Sequence, residues 1–207
     1  MSWLTEQFAF LKDFLRTDFR RVLLYCTFGM LGAAVLGGII AAIEPETVLR
    51  ILDSFMEQVE EAGVIDEEGN MSVLSLLTNN WTAMLFSACY GFIPFLFLPL
   101  VSLLANGSLL GMLAVIYHTG GVSLLAYLAG ILPHGIFEIP ALMLSVTCGV
   151  CLCRNMCRML LHSDKQIPLV ELLSDLLRVL LLVVLPLTVL AAVMECYVTP
   201  WVMGLFI

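Results

Sequence analysis

From about residue 22 onward, polar residues thin out and apolar residues run in stretches too long for the core of a soluble domain. Five of them are expected to cross a membrane: 22–43, through "GMLGAAVLGGIIAAI", then 81–105, 109–132, 134–153 and 172–193. Each approaches or exceeds the roughly 20 apolar residues that a spanning helix needs. "NGS" at 106–108 reads as a hairpin turn in which Asn106 and Gly107 suit the tight backbone, and Pro133-His134-Gly135 reads as a second one. Gly120-Gly121 is expected to kink the third span. Ahead of the first span, Leu4, Phe8, Leu11, Leu15 and Phe19 recur at helical spacing, with Lys12, Asp13, Arg16 and Arg20 on the other side. Residues 1–21 therefore predict an amphipathic helix, either lying in the interface or packed on a neighbouring helix. Val48, Leu52, Phe55, Met56 and Val59 form a similar stripe in 44–78, predicting a helix over 45–62 before the solvated turn "DEEGN". The expected fold is an all-α, polytopic bundle forming one domain over 1–207.

Composition agrees with a lipid solvent. Of 207 residues, 61% are hydrophobic and 13% charged, against roughly a quarter charged in soluble domains. The start "MSWLTEQFAFLKDFLRTDFRR" has no early apolar core or small-residue cleavage site, so no cleaved signal peptide is expected. Lys12, Arg16, Arg20, Arg21, Arg154, Arg158, Lys165 and Arg178 fall on one side of a five-span arrangement, and Arg50 falls on the other. The positive-inside rule then puts the N-terminus inside the cell membrane and the C-terminus outside. The net charge of −8 resides in the outer segment 44–78, which holds nine acids and one arginine. Such a run is either a wet face or a docking surface for a basic partner.

The candidate chemistry is sparse. No phosphate-binding loop, nucleophile elbow, H-E-x-x-H motif or basic nucleic-acid patch occurs, so neither an enzyme nor a nucleic-acid binder is expected. Cys148, Cys151, Cys153 and Cys157 have metal-like spacing, but about 100° per residue puts the first two opposite the last two on a straight helix, and small packing residues are expected. Tyr117 and His118 read as a buried hydrogen-bonded pair in mid-span. Gly29, Ala33 and Gly37 have the small-xxx-small spacing of close helix contacts, within a chain or in a homodimer. Glu171, Asp175 and Arg178 share an inner polar face, where Arg178 pairs with one of the acids. The more informative set lies at membrane depth, where an ionisable group costs on the order of 3 kcal/mol without a partner. Asn80 opens the second span, His134 and Glu138 share a face at the start of the fourth, and Glu195 ends the fifth, all in one outer layer. Pro133 fits a helix start and Pro140 loosens the next turn. The four polar residues can lock the helices by hydrogen bonds, relay protons, or bind a divalent cation.

"NNWTAMLFSACYGFIPFLFLPLVSLLANGSLLG", "LPHGIFEIPALMLSVTCG" and "AAVMECYVTP" together resemble the stage II sporulation protein M family over roughly residues 79–200. The first span and the acidic outer segment fit more loosely. The resemblance implies a multispanning protein whose sporulation namesake anchors peptidoglycan-degrading enzymes by its outer face. It marks Asn80, Asn106, Gly107, Pro133, His134, Gly135, Glu138 and Glu195, with Pro200 closing the E-x-x-x-T-P ending, and it carries over no catalytic role. The expected function is a scaffold for envelope-remodelling partners; the alternative is a permease or channel component with an ion or proton site at His134, Glu138 and Glu195.

Overall fold

The computed structural model describes residues 3–61 and 72–206, and every regular element among them is a helix. The expected turn "DEEGN" lies outside the described residues. Helix α1 (Trp3–Leu15) precedes α2 (Asp18–Ile43). Thr17 turns the chain between them: its hydroxyl donates to the Phe14 carbonyl at 2.6 Å and accepts from the Phe19 amide at 3.4 Å. Helix α3 (Pro45–Glu61) opens on a proline, whose missing N–H costs nothing in a first turn. Its Val48 is fully buried. Then follow α4 (Val73–Cys89), α5 (Pro99–Thr119), α6 (Leu124–Leu160) and α7 (Leu169–Met203), the last interrupted by π turns at Leu180–Val184 and Met194–Val198.

The first correction concerns the second and third spans. The break lies at 90–98, not at "NGS": a 3-10 turn at Tyr90–Phe92 leads into an irregular stretch where Phe95 and Phe97 take positive φ of 67° and 45°. Pro94 and Pro99 each lack a backbone donor; Pro94 lies in the break, and Pro99 opens α5, where a missing N–H costs little. Asn106, Gly107 and Ser108 lie in the middle of α5 instead. Asn106 is satisfied within its own helix, donating to the Ser102 carbonyl at 2.9 Å. Gly107 is a packing glycine, since a Cβ there would sit 2.7 Å from the Met30 carbonyl oxygen of α2. In apolar surroundings an open backbone has no water to bond, so two turn-forming residues do not break a helix unaided.

The second correction concerns the next turn. Gly120-Gly121 does not kink a span; it ends α5, with Gly121 at φ 88°. Ser123 then caps α6 by accepting from the Ala126 amide at 3.1 Å. Helix α6 runs unbroken through Pro133 and Pro140, so Pro133-His134-Gly135 is neither a hairpin nor a helix start. The expected spans 134–153 and 172–193 fall inside α6 and α7.

Interhelical contacts fix the directions. Gly107 opposes Met30 and Gly111 opposes Ala34, so α5 runs parallel to α2. The Ser145 hydroxyl of α6 donates to the Met84 carbonyl of α4, and Gly91 opposes Gly149, so α4 and α6 also run parallel. Asp18 pairs with Arg154, which turns α6 against α2. Gly130 lies against Met203, while Asn155 bonds Ile167, so α7 returns antiparallel to α6. Gly29, Ala33 and Gly37 face α5, so the small-residue stripe is filled within the chain and gives no separate argument for a homodimer.

Helices α2, α5, α6 and α7 are long and apolar enough to cross a membrane; α4, with 17 residues, falls just short. The packing gathers Lys12, Arg16, Arg20, Arg21, Arg154, Arg158, Lys165 and Arg178 at one end of the bundle, leaving Arg50 with α3 at the other. At the basic end α1 docks on α7. Arg178 donates to Gln7 at 2.7 Å and to Asp175 at 2.5 Å, and its guanidinium lies 5.0 Å from the centre of the Phe10 ring. Asn155, 2% exposed, closes the connection between α6 and α7: its amide donates to the Ile167 carbonyl at 2.9 Å and accepts from the Ile167 N–H at 2.8 Å.

Candidate functional site

His134 and Glu138 are one turn apart on α6, which puts both on the face that meets the end of α7. Glu195 comes from the second π turn of α7. That turn widens the helix by one residue, a device frequent at functional sites. The result is a three-residue cluster: one donor atom each from His134, Glu138 and Glu195 lies within 4.8 Å of the others. The His134 Nε2 to Glu138 Oε2 separation is 4.0 Å, with side chains 15% and 32% exposed.

A fourth group, Thr199, holds the imidazole. His134 Nδ1 lies 3.2 Å from Thr199 Oγ1, and the same hydroxyl donates to the Met194 carbonyl at 3.2 Å. In the Nδ1–H tautomer the imidazole donates to Thr199, whose own single proton goes to the Met194 carbonyl. Nε2 is left facing the two carboxylates. The sequence signal for this threonine is present in the ending Glu195-x-x-x-Thr199-Pro200, where a four-residue step on a helix repeats the face of Glu195. A hydroxyl at membrane depth usually bonds its own helix, so spacing alone does not show that Thr199 reaches across to α6.

Asn80 occupies α4 between Leu76, which packs on Ala192 and Cys196 of α7, and Met84, whose Sδ lies 3.2 Å from the Thr188 hydroxyl. Four-residue steps place all three on one face. Asn80 therefore looks into the α6–α7 seam about one turn below the Glu138–Glu195 layer, and its amide nitrogen is buried with no protein partner. Of the four residues expected in one layer, His134, Glu138 and Glu195 meet from α6 and α7, deeper in α6 than a helix start, and Asn80 lies about a turn away on α4.

The other expected positions lie elsewhere. Gly135 and Pro140 flank the cluster on α6, and Pro200 follows Thr199. Asn106 and Gly107 belong to the α2–α5 contact, and Glu171, Asp175 and Arg178 to the basic end, where Arg178 takes Asp175 as expected. Tyr117 and His118 are not a buried pair; both are exposed at the end of α5, with the Tyr117 ring 6.0 Å from Tyr127. The cysteines split between faces as expected. Cys148 and Cys151 are buried in the main core, whereas Cys153 donates to the Ile93 carbonyl at 3.3 Å and Cys157 accepts from the Phe95 amide at 3.1 Å. Those two thiols bond the irregular backbone at 93–95, a role that spacing alone does not reveal. A cavity of about 620 Å³ also opens at the basic end, beside Phe10, Asp18, Arg154 and Lys165.

Long apolar helices with ionisable groups held between them define a membrane protein of the multi-pass helical class. The chain belongs to the stage II sporulation protein M family, whose sequence model matches residues 23–200. It is 35% identical over 126 residues to an uncharacterised protein of Methanocaldococcus jannaschii, an alignment covering 61% of this chain and 70% of the relative. No solved structure matches the chain.

Proposed function

We propose that this protein is a non-enzymatic scaffold of the cell membrane, crossing it five times with the N-terminus and the basic end in the cytoplasm. The crossing beyond the four long apolar helices is α4, second in chain order, completed by the 3-10 turn and the broken segment that follows. The single observation behind the orientation is the segregation of charge along the bundle: eight of nine cationic residues lie at one end. Short basic segments are retained on the cytoplasmic side during insertion. The opposite end then carries the acidic segment 44–78 outside, with Glu44 between α2 and α3 and Glu46, Asp53 and Glu57 along α3. A negative outer face attracts basic partner surfaces at long range. In this family the fitting partners are envelope-remodelling proteins of the peptidoglycan-degrading kind.

The test is site-specific photo-crosslinking from Thr47 and Ser54, exposed positions of α3, in the native membrane. A partner with a basic extracytoplasmic surface, lost when Glu46, Asp53 and Glu57 are changed to lysine, supports the scaffold reading. Crosslinks only to lipid contradict it. A second reading, an ion or proton permease, is favoured by the meeting of His134, Glu138 and Glu195 between two spanning helices. Reconstituted vesicles decide that question, because a permease gives a flux that Glu138→Gln abolishes and a scaffold gives none.

A further inference from the structure

We propose that His134, Glu138 and Glu195 hold one divalent first-row transition-metal ion, pinning the α6–α7 seam, and that Thr199 positions the histidine for it. This holds whether the chain docks partners or passes ions. Three acceptors converge, and among the described residues no hydrogen-bond donor is paired with either carboxylate. The Thr199–Met194 bond accommodates the Nδ1–H tautomer, in which the Nε2 lone pair faces Glu138 and Glu195. At 4.0 Å the Nε2 to Oε2 gap is too long for a shared-proton hydrogen bond, which needs about 2.5–3.2 Å. A cation fills it. Metal–ligand bonds near 2.1 Å set tetrahedral ligands about 3.4 Å apart, so a small rotation of the Glu138 side chain completes the site.

The ligand set selects the ion class. One imidazole nitrogen with two carboxylates suits manganese, iron, cobalt or zinc in the divalent state, whereas calcium and magnesium favour all-oxygen shells. A histidine whose second nitrogen is bonded by a neighbour is the usual arrangement at such centres. Asn80 supplies an independent observation: a buried amide nitrogen without a protein partner, one turn from the carboxylates, is placed to bond a carboxylate or water in the ion's outer shell. The ion takes up the charge of both carboxylates, which apolar surroundings would otherwise penalise.

The test uses the full chain, purified in detergent, stripped with chelator, loaded separately with Zn²⁺, Mn²⁺ or Ca²⁺, desalted and measured by elemental mass spectrometry. The expected result is one Zn²⁺ or Mn²⁺ per chain, no retained Ca²⁺, and loss of binding in Glu138→Gln/Glu195→Gln. Thr199→Val should keep the fold and weaken affinity about 10- to 100-fold. Wild-type protein that retains no metal overturns the proposal, as does retention by the double variant. If that variant does not fold, the Co²⁺ spectrum of the wild type decides. Ligand-field bands without thiolate charge transfer place the ion on nitrogen and oxygen, and a thiolate band moves it to the cysteines and overturns the assignment.

Discussion

Replacing Glu138 and Glu195 by alanine, singly and together, tests whether the two carboxylates act as one site. Their oxygens lie within 4.8 Å of one another. At an effective dielectric constant of about 20, two unit charges at that distance repel by about 3 kcal/mol. The native state therefore contains a compensating cation, a proton or the imidazolium of His134. Removing one carboxylate leaves a divalent cation half neutralised, or deprives a shared proton or the imidazolium of one acceptor, and removing both abolishes the need for compensation. Each single substitution is expected to lower stability by about 1–3 kcal/mol, a range typical of broken buried polar networks. The double variant should lose less than the sum by about 1–3 kcal/mol, the size of coupling found between residues in direct contact. The assay is reversible unfolding of detergent-solubilised protein, followed by fluorescence of Trp81 and Trp201 in a chain carrying Trp3→Phe. Additivity within about 0.5 kcal/mol would refute a shared site.

Two further outcomes test the packing around the site. Asn155→Ala should destabilise the bundle by about 2–4 kcal/mol, because both backbone groups of Ile167 lose their partner; Asn155→Asp keeps the acceptor and should lose about half as much, measured by the same unfolding assay. Gly111→Leu should prevent the α2–α5 contact outright, since even a Cβ there would lie 2.9 Å from the Gly38 nitrogen, and disulfide trapping between cysteines placed at 38 and 115 of an otherwise cysteine-free chain should fail in the Leu variant where the Gly111 chain crosslinks.

The sequence made some parts of this structure plain and hid others for physical reasons. Four-residue spacing was enough to put His134 beside Glu138, and apolar length was enough to find α2 and the cores of α6 and α7. Arg178 found Asp175 because a helix brings residues three apart onto one face. What failed was turn chemistry learned from water. Asn106-Gly107 looks like a hairpin to a chain that can hydrate its backbone, but here the glycine serves a helix contact and the asparagine bonds Ser102. The real punctuation was Pro94, Pro99 and the Gly120-Gly121 pair, hidden inside apolar runs that read as continuous spans. Pro133 looked like a boundary for the converse reason: a proline inside a membrane helix is tolerated when neighbouring groups take up the freed carbonyl. Thr199 and the thiols of Cys153 and Cys157 act on segments distant in sequence, and only the folded chain shows which.

The central claim, a bundle oriented by its charge with the acidic end outside, is tested most directly by accessibility in intact cells. Asp164→Cys at the basic end and Glu46→Cys at the start of α3 are both exposed positions in the structure. Each is introduced alone into a chain whose seven native cysteines are replaced, and each is treated with a membrane-impermeant maleimide before and after lysis. The account expects the residue at 46 to react in intact cells and the residue at 164 to react only after lysis. Labelling of 164 in intact cells, or protection of 46 until lysis, would contradict it.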